Sequence, residues 1–529
     1  MAAGRAPGLP RPARAAARAL PWVPAAVVVA GVALPLAYLA LRAFEAEPTE
    51  LASLVFRWRN VRLLAHTVVL GAGVLALATA LALPAAWLVA RTDVPFARAF
   101  TLLSVLPLAV PGYVIAYAML AATGPAGTLS QVVGTPLPRP SPFLGSLIAL
   151  SVGTAPYLFL NLRAALLGLD GSLEEAARSL GMRRTEVARR VVLPQLRPAF
   201  LAGALLIVLH VLGDFGVVSL LRYETLSYAV YIQYSAGYDR VYAACLALML
   251  LALTAVLLAL EGQLLVGQRF ARVGAGAARR RTRRLLGAAR VPVAGGLALL
   301  ALFQVGVPVA TVLDWLGRGT TDAWAGLPRA MGDALSAALP AAVAAAALAL
   351  GIAYLRVRRP SPASRFVERV AYVGYATPPL ALALAIVFFS LRAAPALYQT
   401  LALLVGAYAL HFLPEALGPI RSALFQAPPR LEEAARALGR RPAAAFAAAT
   451  LPLLRRGLGA GAALVFLSSL KELPLTFLLS PLGFRTPAMG VWSAAREAMF
   501  ASAAPYALAL MVVSTALVGL VLLREERLS

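Results

Sequence analysis

The sequence predicts an all-α polytopic membrane protein, with about twelve transmembrane helices arranged as two six-helix repeats. Three observations carry that expectation. Of the 529 residues, 61% are hydrophobic and only 13% are charged, with a mean hydropathy of +0.79. That leaves too little polar surface for a soluble protein of this length. Apolar runs near the roughly 20 residues that a bilayer requires recur along the whole chain. A charged, helix-patterned segment also occurs twice, as LEEAARSLGMRRTEVARRVVLP at 173–194 and LEEAARALGRRPAAAFAAATLP at 431–452, 258 positions further on.

The elements follow in order. A basic tail, 1–21, carries Arg5, Arg11, Arg14 and Arg18. The apolar run after it is too long for the core of a secretory signal and reads as a retained first helix. The first transmembrane unit, 22–262, has spans at roughly 22–44, 63–90, 99–121, 143–166, 198–221 and 241–262. A Gly- and Arg-rich stretch at 263–290 reads as a linker, with a lipid-headgroup patch as its alternative role. The second unit, 291–523, has spans at roughly 291–316, 331–355, 366–391, 397–420, 457–480 and 503–523, and 524–529 forms a short tail. Pro or Gly is expected to interrupt the fourth, tenth and eleventh spans, which a membrane protein tolerates where neighbouring helices re-satisfy the backbone.

The net charge of +25 does not point to nucleic acid. With the N-terminus placed in the cytoplasm, 35 of the 48 Lys and Arg fall in the tails, linker and loops of that side. This is the positive-inside bias, and it predicts that both termini are cytoplasmic. A nucleic-acid surface would gather charge and aromatics on one folded face, and none is expected here. Cys245, the only cysteine, excludes an internal disulfide and a Cys-based metal cage.

The halves match beyond the charged segment. At the same offset Pro156 meets Pro414, RAAL at 163–166 meets RSAL at 421–424, Asp214 meets Glu472 and Leu220 meets Leu478. Each charged segment follows the fourth span of its unit, so both face the same side. That makes a parallel repeat, two bundles related by a pseudo-two-fold axis along the membrane normal. Within the first copy, residues 173–180 make about two helical turns and Gly181 is placed to end them in a left-handed conformation. A second helix is expected from about Thr185 to Pro194, which ends it. In the second copy Pro442 takes a first-turn position. Glu174 and Glu175 suit the positive end of the first helix, and Arg178, Arg183 and Arg184 suit the other. An interfacial amphipathic connector would carry similar text. Duplication at matched topology favours a docking element.

These residues carry a resemblance. Glu175-Ala176-Ala177, Gly181 and Leu193-Pro194 return as Glu433-Ala434-Ala435, Gly439 and Leu451-Pro452, with 13 positions from Gly to Pro in both copies. The pattern is similar to the EAA motif of ABC importer permeases, the inner-membrane components of binding-protein-dependent transport. The second copy departs from it in having Ala449 where the first has Val191. The resemblance implies a MetI-like, type I permease fold in the bacterial cytoplasmic (inner) membrane. It also implies that the loops at 173–199 and 431–457 couple to an ATPase. The coupling positions would be Glu174, Glu175, Ala176, Ala177, Gly181, Leu193 and Pro194, then Glu432, Glu433, Ala434, Ala435, Gly439, Leu451 and Pro452. The implied partners are two copies of a nucleotide-binding ATPase subunit, an extracytoplasmic substrate-binding protein and membrane lipid.

The single lysine, Lys471, lies in SSLKELP and so builds no P-loop. The chain is therefore expected to be no enzyme and to hold no cofactor, with ATP and Mg bound by the partner. The fused two-copy layout resembles the ferric iron transport permeases, with thiamine permeases as near relatives. GDFGVVSLLRYET at 213–225, KELPLT at 471–476 and GFRT at 483–486 carry that finer resemblance. A rival class, an ion-coupled secondary transporter, explains twelve helices but not two docking loops. A membrane enzyme would need a nucleophile–base or metal constellation, and the sequence offers none.

Asp214, Phe215, Lys471 and Glu472 are possible pathway or gate residues, because charged groups at such depth face a cavity or a partner. The alternative is local: Glu472 pairs with Lys471, and Asp214 sits at a wet helix end. His66, His210 and His411 lie on different helices without ligand spacing and read as packing groups, and no metal site is expected. Tyr223, Tyr228, Tyr231, Tyr234 and Tyr238 crowd one outer loop, where phenolates for ferric iron and ordinary interfacial aromatics are the two readings.

Overall fold

The computed structural model describes residues 22–45, 47–237, 239–265, 285–319 and 322–526. The basic tail, most of the linker and Tyr238 lie outside the described residues. Among these residues eight helices are long and apolar enough to cross a membrane, and four bent pairs bring the number to 12. The chain is an all-α polytopic protein.

The first half runs through Trp22–Ala43, Trp58–Arg91, the bent pair Ala97–Leu108 and Gly112–Ala122, Pro142–Gly168, the bent pair Arg184–Gln195 and Arg197–Gly213, and Arg240–Leu265. The second repeats the order with Gly287–Gly317, Leu327–Arg358, the pair Pro362–Ala376 and Pro379–Ala393, the pair Leu401–His411 and Leu413–Gln426, Pro442–Leu470, and Phe500–Glu526. Residues such as Val69, Leu299 and Val343 stay exposed on the outer helix faces, as a lipid-facing wall requires.

The breaks differ from those expected. The third and ninth spans, expected to be continuous, turn by 95° and 107°. Pro111-Gly112 and Pro378-Pro379 stand at these elbows, where a proline withholds its N–H and disfavours helix for the residue before it. The fourth span, expected to be interrupted, is one helix with Pro156 inside it. The eleventh, expected over 457–480, is interrupted, its helix ending at Leu470 and a new one starting at Pro474, and the tenth bends by 53°, with Pro414 in the first turn of its second piece. Pro194 does not end its helix. Single π turns at Ala188–Val192 and Phe446–Thr450 lead into Leu193-Pro194 and Leu451-Pro452, each pair opening the next helical segment. A π turn absorbs the bond that the proline cannot make.

The fifth and eleventh spans stop earlier than expected, at Gly213 and Leu470. Short helices follow, Gly216–Leu220 and Leu226–Ser235 in one half and Pro474–Leu479 and Pro487–Arg496 in the other. They lie at the far face, opposite the charged loops.

Two glycines fix the close packing of the fourth and fifth spans. A Cβ on Gly203 would lie 2.8 Å from Leu158 Cδ1 and 3.1 Å from its Cα, and one on Gly461 would lie 2.9 Å from Ala416 Cα. The two pairs are related by the 258-residue offset. The halves also cross. The first span packs on the eighth and ninth spans of the other half, and the seventh packs on the second piece of the third.

Candidate translocation cavity and coupling loops

The charged loops fold as the helices Ser172–Ser179 and Pro429–Ala437. Gly181 (φ 84°) and Gly439 (φ 85°) end them in the left-handed region. The N–H of Gly181 reaches Arg178 O (3.0 Å) and that of Met182 reaches Ala177 O (3.2 Å). Gly439 to Arg436 (3.0 Å) and Arg440 to Ala435 (3.2 Å) repeat the pattern, a Schellman closure that favours glycine at its left-handed residue.

The paired glutamates at each helix start separate. Glu174 accepts from Arg91 at 2.9 Å, and Glu432 lies 3.5 Å from Arg358 while accepting the Thr450 hydroxyl at 2.7 Å. Arg91 and Arg358 are the last residues of the second and eighth spans, so one kind of ion pair moors each loop to its own bundle. Glu175 and Glu433 stay exposed, as do Ala176 and Ala434, while Ala177 is buried and Ala435 half-buried. Leu180 and Leu438 stand 81% and 85% exposed at matching positions. The sequence reading passed over both leucines and both mooring arginines. A large apolar side chain left open beside the helix-ending glycine in each copy was the signal available.

Between the bundles the elbows of the third and ninth spans meet the ends of the fifth and eleventh. The Tyr113 hydroxyl donates to Lys471 O (3.1 Å), and Lys471 Nζ donates to Leu108 O (3.3 Å). A Cβ on Gly213 would lie 3.0 Å from Pro379 Cδ. These contacts surround a cavity of about 240 Å³ that Asp214, Phe215, Lys471 and Glu472 all line.

Both acids also act locally. Asp214 Oδ1 accepts the N–H groups of Val217 (3.0 Å) and Val218 (3.3 Å), and Glu472 Oε1 accepts that of Leu475 (3.0 Å). Each caps the short helix that follows, satisfying donors that a helix start leaves open. The expected Glu472–Lys471 ion pair does not form, because Lys471 points across to the other half. Phe215 enters a cluster with Tyr231 (4.7 Å between centroids), Trp492 (5.7 Å) and Phe477 (6.2 Å), two rings from each half, on the far-face side of the cavity. Trp492 Nε1 donates to Ser219 Oγ at 2.8 Å and ties the halves there. Tyr231 is thus a packing group.

The cavity also holds residues that the sequence reading missed. Glu415 accepts the Ser468 hydroxyl (2.8 and 3.0 Å to its two oxygens) and the Tyr375 hydroxyl (3.3 Å). The positions matching Glu415 and Ser468 in the first half are Tyr157 and His210, whose rings lie 6.0 Å apart and line the same cavity. His411 lines it too, with Nδ1 3.0 Å from Gly374 O, so two histidines set apart by sequence share one space. His66 is elsewhere, stacked on Tyr223 at 5.2 Å. Among the described residues no three His, Cys, Asp or Glu side chains converge closely enough to hold a metal ion.

Two like helical bundles around a central polar cavity, with twin charged loops on one face, define a membrane transport permease. The family described as binding-protein-dependent transport system inner membrane component matches residues 78–264 and 338–529. This chain belongs to that family, as an ABC importer permease carrying two copies of the domain and sited in the inner membrane. It is 31% identical over 500 residues to the Fe(3+)-transport system permease protein FbpB 2 of Haemophilus influenzae, covering 93% of this chain and 96% of that one. A probable molybdenum ABC transporter permease of Haloferax volcanii is 32% identical over 252 residues, 46% of this chain and 93% of the relative. The molybdenum transport permease ModB of Escherichia coli K12 is 32% identical over 133 residues, 25% of this chain and 58% of its own.

Proposed function

We propose that this permease imports iron(III) handed over by an extracytoplasmic binding protein, powered by two copies of a separate ATPase subunit seated on the twin loops. The observation that carries the cargo is full-length likeness: both halves align with a ferric permease, whereas the molybdenum relatives cover half of the chain or less. The exposed Glu175, Leu180, Glu433 and Leu438 offer each ATPase subunit an acid and an apolar anchor around a helix end. Nucleotide and magnesium then belong to the partner, this chain performs no catalysis, and both termini lie on the cytoplasmic side with the loops. Closure of the ATPase pair would press the loops together and rock the bundles about the cavity.

The test has two arms. Iron-starved cells lacking this permease should lose uptake of radioactive ferric iron and keep molybdate uptake; the reverse result would replace iron by an oxyanion. A double Gly181→Val, Gly439→Val variant should reach the membrane but fail to co-purify with the ATPase, since a branched side chain at φ near +85° costs about 1–2 kcal/mol and reshapes the helix end. Undiminished co-purification would remove the loops as the seat.

A further inference from the structure

Pseudo-symmetry supplies an internal control for the cavity. The fourth and fifth spans pack closely in both halves, through Gly203 and Leu158 in one and Gly461 and Ala416 in the other. The first half does this with Tyr157 and His210 at the contact and no carboxylate. Glu415 is therefore not required to hold these spans together. A carboxyl group inside a membrane bundle is costly unless it meets a partner or a pathway. Among the described residues no Lys or Arg nitrogen comes within 4.0 Å of it, and Lys471 in the same cavity is drawn to Leu108 O. Asp214 and Glu472 spend an oxygen each on helix capping, whereas the partners of Glu415 are hydroxyl groups that can turn.

We propose that Glu415, with Tyr375 and Ser468, and facing Tyr157 and His210 across the cavity, forms a transient site for the cation in transit, a hard trivalent ion. This deepens the iron reading and rests on it. The donors are a carboxylate, two phenols, a hydroxyl and an imidazole, an oxygen-rich set without thiolate that suits a hard ion. The three carboxyl groups of Asp214, Glu415 and Glu472 outnumber the one lysine in the lining and give the space an acidic bias. Among the described residues no closed cage of His, Cys, Asp and Glu forms. A conduction site needs that openness, since binding must let the ion enter and also leave.

The test uses the full permease in detergent with ferric nitrilotriacetate, read by the visible phenolate-to-iron charge-transfer band, alongside ferric uptake by the complete transporter in cells. Wild type should show the band. Glu415→Gln should lose it, Tyr375→Phe should weaken it because Tyr157 remains, and each should lower uptake at least about tenfold, the scale seen even for residues that only support a metal ligand. Both should keep assembly with the ATPase, and Glu415→Asp should restore part of the uptake. If Glu415→Gln fails to fold, Tyr375→Phe decides alone. Ferric uptake at the wild-type rate in the variants would overturn the site and leave the iron reading standing. Absence of ferric uptake by the wild-type transporter would overturn the iron reading, and the site with it.

Discussion

Arg91–Glu174 and Gly181 in the first half, and Arg358–Glu432 and Gly439 in the second, build the same loop to within a few tenths of an ångström in most of its bonds. The cavity walls of the same two halves keep matched acids at Asp214 and Glu472 but differ chemically beside them: Tyr157 and His210 stand against Glu415 and Ser468, and Gly213 stands against Lys471. Matching seats suit two copies of one partner, the arrangement proposed for the ATPase. Unlike walls suit a cargo that has no two-fold symmetry to respect. Because both halves belong to one chain, each wall can vary without altering the other. The difference extends to the scaffold. The fifth span bends by 60° between Gln195 and Arg197, while its counterpart runs unbroken through Pro442–Leu470.

The strongest way to break this comparison lies at Glu368, which pairs with both Arg356 and Arg421 in the second half. The matching Arg163 in the first half has a buried Nε with no hydrogen-bond partner. Glu368→Ala should cost about 3 kcal/mol by stranding two cations, seen as a lower thermal midpoint in detergent. An unchanged midpoint would show that the second half needs this network no more than the first does. Next is Gly461→Val, expected to cost about 2 kcal/mol by forcing the tenth and eleventh spans apart, with Gly203→Val comparable. A marked difference in the midpoints of these two variants would mean that the halves do not share their packing. Arg91→Ala should weaken loop mooring by about 1–2 kcal/mol and reduce ATPase stimulation by the permease. Arg358→Ala should lower the same readout through the matching loop, where Thr450 also holds Glu432 at 2.7 Å. Undiminished stimulation in both variants would remove these ion pairs as moorings. Smallest is Tyr113→Phe, which removes the bond to Lys471 O for about 1 kcal/mol and should raise ion leak without ATP. Liposome leak at the wild-type level would make that bond structural only.

The loops were legible because their signals are local: a glycine needing positive φ, acids at a helix start, and a repeat that marks both copies. Span number and order followed from hydropathy for the same reason. The elbows were not legible by that route, since an apolar window containing Pro111-Gly112 scores like any other apolar window and its direction is lost. Missing the elbows also hid the cavity they frame. Glu415 was readable in principle as an acid within an apolar span, but Pro414 beside it drew notice only as a marker of the repeat. His210 and His411 are 201 positions apart, and only the meeting of the fourth to fifth spans with the tenth brings them to one space. Asp214 shows the remaining limit: sequence posed wall or cap as alternatives, and the structure has it as both.

The crossed helices bear on how the chain is made. The first span, Trp22–Ala43, finds its main neighbours in the eighth and ninth, which leave the ribosome some three hundred residues later. Until then its small and apolar inner face, including Ala25, Val28 and Val32, has the sixth span, Arg240–Leu265, as its main neighbour from its own half. Neither bundle can be completed by itself. Synthesis as one polypeptide keeps the waiting helix tethered to the helices it needs, so membrane assembly does not depend on a chance encounter between two separately made halves.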